Sequence, residues 1–280
     1  MISSDLPSGV VETIRRALEE DIGSGDITTS LLIPEEDEFT ARFVAKDAFI
    51  LAGLPFAQEV FHLLHPSMKW TAFSTDGDKI RKGDVLAELS GKTRIILTGE
   101  RVSLNILQRL SGIATLTSRY VERIRGLKAR IVDTRKTVPC MRFMEKYAVR
   151  KGGGHNHRFG LFDGILIKNN HIKAVGSVSE AVNLAKASHH LAKIEVEVES
   201  LPDLELAVRA GADIVMLDNM SVSDMKEAVQ IVQGKVLLEA SGGINLDNVR
   251  EIADTGVDII SVGALTHSAT AVDISLQLVG

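Results

Sequence analysis

The 280-residue sequence is 45% hydrophobic and 25% charged, which excludes disordered and fibrous architectures and fits one large domain or two medium ones. Only 4% of residues are aromatic, against 23 glycines, so a core of Ala, Val, Ile and Leu with many tight turns favours α/β layering over an aromatic-rich β-sandwich. The net charge of -5 argues against a nucleic-acid binder, and the single cysteine, Cys140, excludes an intrachain disulfide and a multi-cysteine metal site.

Residues 1–5 show no basic-then-apolar leader pattern, and no run of about 18 apolar residues occurs. The expectation is a cytoplasmic protein that neither crosses nor docks on a membrane. The overall charge hides an asymmetry. Nine Lys and Arg lie between Arg135 and Lys173, against two acids, Glu145 and Asp163. Such a segment in an acidic chain suits a small anionic ligand.

In chain order, Val10–Asp21 is predicted as an amphipathic helix, with Ser8 as N-cap and Gly23 just past its end. Short strands are predicted at Phe39–Lys46 and Phe49–Leu51, and a helix at Pro55–Leu64. Lys69–Thr98 is rich in strand and turn signals. Its Asp76–Leu89 stretch could be a lipoyl-type hairpin, but a small β-layer inside a larger enzyme explains it more simply. Glu100–Arg125 reads as a long helix broken near Ser111-Gly112, with Arg101 in its first turn.

From Ala129 the pattern changes. Apolar strands at Arg130–Asp133, Gly164–Lys168, Lys193–Val198, Asp213–Leu217, Lys235–Glu239 and Asp258–Val262 alternate with helices. The later helices, Ser179–Ala187, Leu201–Ala210, Val222–Val232 and Leu246–Asp254, are preceded by capping residues Ser177 or Ser179, Ser200, Ser221 and Asn245. Continuous apolar strands of this kind form a parallel sheet covered by helices. With a further strand in Tyr147–Gly154, the pattern predicts an incomplete α/β barrel. The competing doubly wound sheet lacks a Gly-x-Gly-x-x-Gly after the first strand. The expected domains are 1–112 and 113–266, with the tail 267–280 returning to the first.

In an α/β barrel the active site lies at the C-terminal ends of the strands. Those ends read Asp133-Thr134-Arg135-Lys136, Lys168, Glu197, Asp218, Glu239-Ala240-Ser241-Gly242-Gly243 and Val262-Gly263-Ala264. The last two are glycine loops before helical segments, suited to phosphate, although glycines there could serve tight turns alone. Arg135, Arg158 and Arg101 can grip carboxylates bidentately, and Lys136 and Lys168 suit phosphate or pyrophosphate. Glu197 and Asp218 can take ribose hydroxyls or, through water, Mg²⁺. His157 is open between carboxylate donor and structural residue. Cys140, with no base beside it, reads as non-catalytic. A Schiff-base aldolase using Lys168, or a non-catalytic binder of a phosphorylated metabolite, would also fit parts of the pattern.

Asp133–Ile172, DTRKTVPCMRFMEKYAVRKGGGHNHRFGLFDGILIKNNHI, resembles the core signature of the quinolinate phosphoribosyltransferase family, whose decarboxylating reaction yields nicotinate mononucleotide. ALEEDIGSGDITT, GERVSLNILQRLSGIAT, EVEVES, IVMLDNM, EASGGI and HSATAVDISL extend the resemblance over nearly the whole chain. It implies an N-terminal open α/β sandwich followed by a seven-stranded α/β barrel. It also implies a homodimer, or a larger assembly of such dimers. The implied substrates are quinolinate and phosphoribosyl pyrophosphate, with Mg²⁺ as cofactor. By the resemblance, Arg135, His157 and Arg158 bind the quinolinate carboxylates together with Arg101 supplied in trans, and Thr134 lies beside them. Lys136 and Lys168 meet the phosphates. Glu197 and Asp218 hold the ribose and the Mg²⁺ shell, and Ser241, Gly242, Gly243, Val262, Gly263 and Ala264 cradle the 5′-phosphate. Val138, Cys140 and Asn169 depart from the family pattern.

Overall fold

The structure, a computed structural model, describes residues 6–188 and 190–279; the leader reading on residues 1–5 lies outside them. It divides into two compact units, one of Met1–Ser118, Thr137–Gly153 and Ser268–Gly280, the other of Arg119–Lys136 and Gly154–His267. Residues 137–153 thus group with the first unit, whereas the sequence reading assigns them to the barrel segment 113–266.

The first unit begins α1 (Ser8–Ile22), α2 (Ile27–Leu32), β1 (Glu38–Ala45), β2 (Phe49–Ile50) and α3 (Leu54–Leu64). It continues with β3 (Lys69–Ala72), β4 (Lys79–Ile80), β5 (Val85–Lys92) and all but the last turn of the long α4 (Thr93–Arg123). α5 (Arg142–Lys151) and β12 (Ile274–Val279) arrive from later in the chain. Its main sheet is antiparallel, in the order β12-β1-β5-β3, and β12 runs beside β1 from Thr40↔Val279 to Ala45↔Ile274. Side chains alternate across β1, so Ala41, Phe43 and Ala45 all enter the core. There they meet Phe61, Leu86, Leu89, Ile96 and Leu107, with Trp70 5.4 Å from Phe43. Each such large side chain contributes about 1.5–3 kcal/mol by leaving water.

Two local expectations change. Ser8 is the first residue of α1, and Pro7 occupies the cap position. α4 starts at Thr93, not Glu100, and runs unbroken through Gly112. A Cβ at Gly112 would lie 2.1 Å from the Thr270 carbonyl oxygen, so this glycine admits a neighbouring backbone to the helix instead of ending it.

The second unit contains β6 (Arg130–Val132), β7 (Ile165–Ile167), α6 (Asn169–Val175), α7 (Val178–Ala187), β8 (Ile194–Val198) and α8 (Leu201–Ala210). β9 (Ile214–Asp218), α9 (Val222–Val232), β10 (Leu237–Ser241), α10 (Val249–Ala253), β11 (Ile259–Ser261) and α11 (Ala264–His267) complete it. Its strands form one parallel sheet in the order β6-β11-β10-β9-β8-β7. All five residues of β8 are buried, Glu195 and Glu197 among them, and these two glutamates share one face of the strand. Ser177, Ser200 and Ser221 cap α7, α8 and α9 by accepting the amides of Glu180, Asp203 and Asp224.

The seventh barrel position is reduced to one residue. Tyr147 and its neighbours belong to α5, and the parallel pairing beside β6 is a single bridge, Val132↔His155. His155 donates its amide to Ile131 and accepts that of Asp133.

Candidate active site

Because β6 to β11 are parallel, their C-terminal ends face the same way. Thr134, Arg135 and Lys136 follow β6, Lys168 follows β7, Glu197 stands on β8, Asp218 ends β9, and Ser241, Gly242 and Gly243 leave β10. With His157 and Arg158 these residues line one cavity of about 620 Å³. Leu166, Met216, Asn219, Glu239 and Ser261, to which the sequence reading gave no role, also line it.

Four expected residues are not in that lining. Arg101 is exposed on α4 in the first unit. From β11 the cavity receives Ser261, while Val262, Gly263 and Ala264 stand outside. A Cβ at Gly263 would come within 3.0 Å of Lys136 Cδ, and Thr266 Oγ1 donates to the Lys136 carbonyl at 2.8 Å. The glycine makes room for the lysine stem. The basic segment also divides. Arg135, Lys136, Arg158 and Lys168 reach the cavity, whereas Arg142, Lys146, Arg150 and Lys151 belong to α5.

The charged groups are held individually. Lys168 Nζ donates to Glu197 Oε2 at 2.9 Å, and the Lys168 amide donates to His171 Nδ1 at 2.9 Å. Asp218 Oδ2 accepts from Asn219 Nδ2 at 2.9 Å, and the Asn219 amide donates to the Ser241 carbonyl. Asn219 takes a left-handed φ of 55° to do both. Gly242 has φ 89°, and a Cβ there would lie 2.2 Å from Asn219 Oδ1. Glycine is therefore required on two counts. α10 begins only at Val249, and α11 has four residues. The loop after β10 can offer amides and hydroxyls to an anion, but the helix start expected at Leu246 is not behind it.

Half-buried His157 meets two buried glutamates. His157 Nε2 is 3.0 Å from Glu195 Oε2 and 3.5 Å from Glu239 Oε2. Nδ1 accepts the Arg158 amide at 2.8 Å. Asp133, wholly buried, accepts the His157 amide and the Asn156 side chain. Burial lowers the His157 pKa, but the bonds and charges of Glu195 and Glu239 outweigh it and bring it to about 10. Burial and the nearby Glu239 raise the Glu195 pKa, against the pull of His157. Burial first, then Arg135, lowers that of Arg158. Glu195 was readable from sequence. It precedes Glu197 by two positions on one strand, so both point to the same face.

Glu197 and Asp218 offer the hard oxygen donors that a divalent cation shares with water and phosphate. No helix among the described residues is long and apolar enough to cross a membrane.

Residues 26–111 match the quinolinate phosphoribosyl transferase N-terminal domain, and residues 113–277 match the C-terminal domain of the same family. A Mycobacterium leprae protein named nicotinate-nucleotide pyrophosphorylase (carboxylating) is 43% identical over 275 residues, spanning 95% of this chain and 96% of that protein. A Nicotiana tabacum quinolinate phosphoribosyltransferase (decarboxylating) is 42% identical over 285 residues, 95% of this chain and 81% of that protein. The solved structure of a Francisella tularensis nicotinate-nucleotide pyrophosphorylase superposes with a TM-score of 0.94 at 46% identity, covering 98% of each chain.

Proposed function

Because the chain belongs to the quinolinate phosphoribosyl transferase family, we propose that it converts quinolinate and phosphoribosyl pyrophosphate to nicotinate mononucleotide, pyrophosphate and CO₂, a reaction of de novo NAD biosynthesis. The observation that carries this reading is the presence of Glu197 and Asp218 in one cavity with Arg135, Lys136, Arg158 and Lys168. A site for phosphate alone gains nothing from carboxylates, whereas a site that binds anions around a sugar of growing positive charge uses both signs. Lys168 Nζ is engaged by Glu197, which disfavours the Schiff-base alternative, a chemistry that needs a free amine.

The quinolinate nitrogen attacks C1′ as the bond from C1′ to the pyrophosphate oxygen breaks, and pyrophosphate leaves with the electron pair. The sugar passes through an oxocarbenium-like arrangement, so positioning and charge supply most of the acceleration. Glu197 and Asp218 take the ribose hydroxyls and favour the positive charge. Lys136 and Lys168 meet the departing pyrophosphate. Thr134, Arg135, His157 and Arg158, with Arg101 of the partner subunit, receive the quinolinate carboxylates. The 5′-phosphate falls to Ser241, Gly242 and Gly243, with Val262, Gly263 and Ala264 close behind in the chain. The new pyridinium then draws the electron pair from the C2–carboxylate bond as CO₂ departs, and C2 takes a proton from water.

Mg²⁺ fits Glu197 and Asp218, directly or through water, and when bound would offset pyrophosphate charge. The protein works as a homodimer in the cytoplasm. The test is an assay of nicotinate mononucleotide and CO₂ from quinolinate, phosphoribosyl pyrophosphate and Mg²⁺, with nicotinate run in parallel. Product from quinolinate is expected; turnover of nicotinate alone would overturn the assignment.

A further inference from the structure

Glu195 and Glu239 have no part in the reaction outlined above, yet both are almost wholly buried, and each keeps Oε1 without a hydrogen-bond partner. Two carboxylates out of water cost several kcal/mol each unless another group offsets them. What faces them is His157 Nε2, at 3.0 and 3.5 Å. On the far side of the ring, Nδ1 takes the Arg158 amide. His155 to Arg158 therefore hang on one ladder bridge and a set of side-chain bonds, where the neighbouring positions have full strands.

Nδ1 can accept a hydrogen bond only while it carries no proton. A second proton on the ring turns it into a donor, releases the Arg158 amide and offers an N–H to an anion in the cavity that His157 lines. Building on the reading that Arg135 and Arg158 hold the substrate carboxylates, we propose that Glu195 and Glu239 are positioning residues: they pin the His157 ring through Nε2 as an imidazolium, so that Nδ1–H joins the two arginines on quinolinate. The charges around the ring support this. Glu195 on β8, Glu239 on β10 and Asp133 after β6 favour a cation there, and Arg158, with Arg135 beside it, opposes one. Without the two glutamate charges, the ring beside Arg158 and Arg135 would shed its proton. With them, the excess positive charge waits for a dianion.

The test uses Glu195→Gln, Glu239→Gln and the double variant in the full chain. Glutamine keeps shape and an acceptor for Nε2–H but removes the charge. At pH about 8, kcat/KM for quinolinate is expected to fall about tenfold or more in the double variant, with KM for phosphoribosyl pyrophosphate unchanged. Its profile should decline above pH about 6.5, where an ordinary imidazole loses its proton. In the unsubstituted protein that decline should come near pH 10. ¹⁵N-imidazole NMR with quinolinate should show both His157 nitrogens protonated in the parent and one in the double variant at pH about 8. A variant profile that matches the parent's, a loss shared equally by both substrates, or a stoichiometric divalent metal on the trio would overturn the proposal. Should the double variant fail to fold, Glu239→Gln, which alters the longer contact, carries the same comparison. If the unsubstituted protein does not convert quinolinate, the functional reading falls, and the NMR titration still decides the state of the ring.

Discussion

Replacing Gly242 by alanine should disable the sugar-phosphate half of the cavity while leaving the dicarboxylate half intact. An L-residue at φ 89° costs about 1–2 kcal/mol in backbone strain. The new Cβ would meet Asn219 Oδ1 at 2.2 Å, Cγ at 2.5 Å and the backbone nitrogen at 2.9 Å, so Asn219 must move. That movement gives up its bonds to Asp218 and to the Ser241 carbonyl, at about 1 kcal/mol apiece. A total of about 3 kcal/mol corresponds to a Tm lower by roughly 6–12 °C in a unit of this size. Because Asp218 loses its holder, KM for phosphoribosyl pyrophosphate should rise about tenfold, with quinolinate binding by calorimetry unchanged. Gly234→Ala is the control. It has φ 74° and nothing within 4 Å, so it pays the backbone strain alone and should leave both substrates untouched. A Gly242→Ala protein with parental KM and a Tm matching that of Gly234→Ala would refute this reasoning.

Arg109→Leu should destabilise by about 3–5 kcal/mol in urea, because it strands the fully buried Glu145 carboxylate that Arg109 Nε holds at 2.8 Å. A loss below about 1 kcal/mol would mean that Glu145 is satisfied elsewhere. Ser200→Ala removes the cap of α8 and should cost about 1 kcal/mol with no change in kcat. Asp26 caps α2, and bonds from Thr29, then Thr98, hold its pKa below the ordinary carboxylate value. A folded pKa below the unfolded one means that its stabilisation is present above the ordinary value and fades as pH falls through the lowered one. Asp26→Asn should therefore flatten the acid limb of Tm against pH, and an unchanged limb would exclude Asp26 as its source. Glu197→Gln should lower kcat more than it raises either KM, since it removes charge that matters as the ribose turns positive.

Much of the barrel is legible in the sequence because parallel strands covered on both faces must be apolar along their length, and because serine caps announce three of its helices. The strand-end rule brings Thr134 to Lys136, Lys168, Glu197, Asp218 and the Ser241 to Gly243 loop into one cavity. What stays hidden depends on contacts between residues far apart in the chain. Gly112 reads as a helix breaker because nothing nearby in the sequence announces Thr270. The clustering of cations from Arg135 to Lys173 looks like one anion site, yet α5 carries several of them into the first unit. Glu195 has its signal in the two-residue spacing to Glu197 and Glu239 in its place at a strand end, but their shared role rests on His157, which a third segment brings to both. Asn219 was obscured by its neighbour Asp218.

The pairing of β12 with β1 makes the order of synthesis matter. β1 leaves the ribosome early, but its outer hydrogen-bonding edge is covered only by residues 274–279, made after every barrel strand. Until then Thr40 to Ala45 form an open, half-apolar sheet edge, the sort that pairs with other nascent chains. Loss of the last few residues would remove no group that lines the cavity, yet it would leave that edge uncovered in every molecule. This tail therefore bears on solubility during folding through the β1 edge, and on the cavity only indirectly.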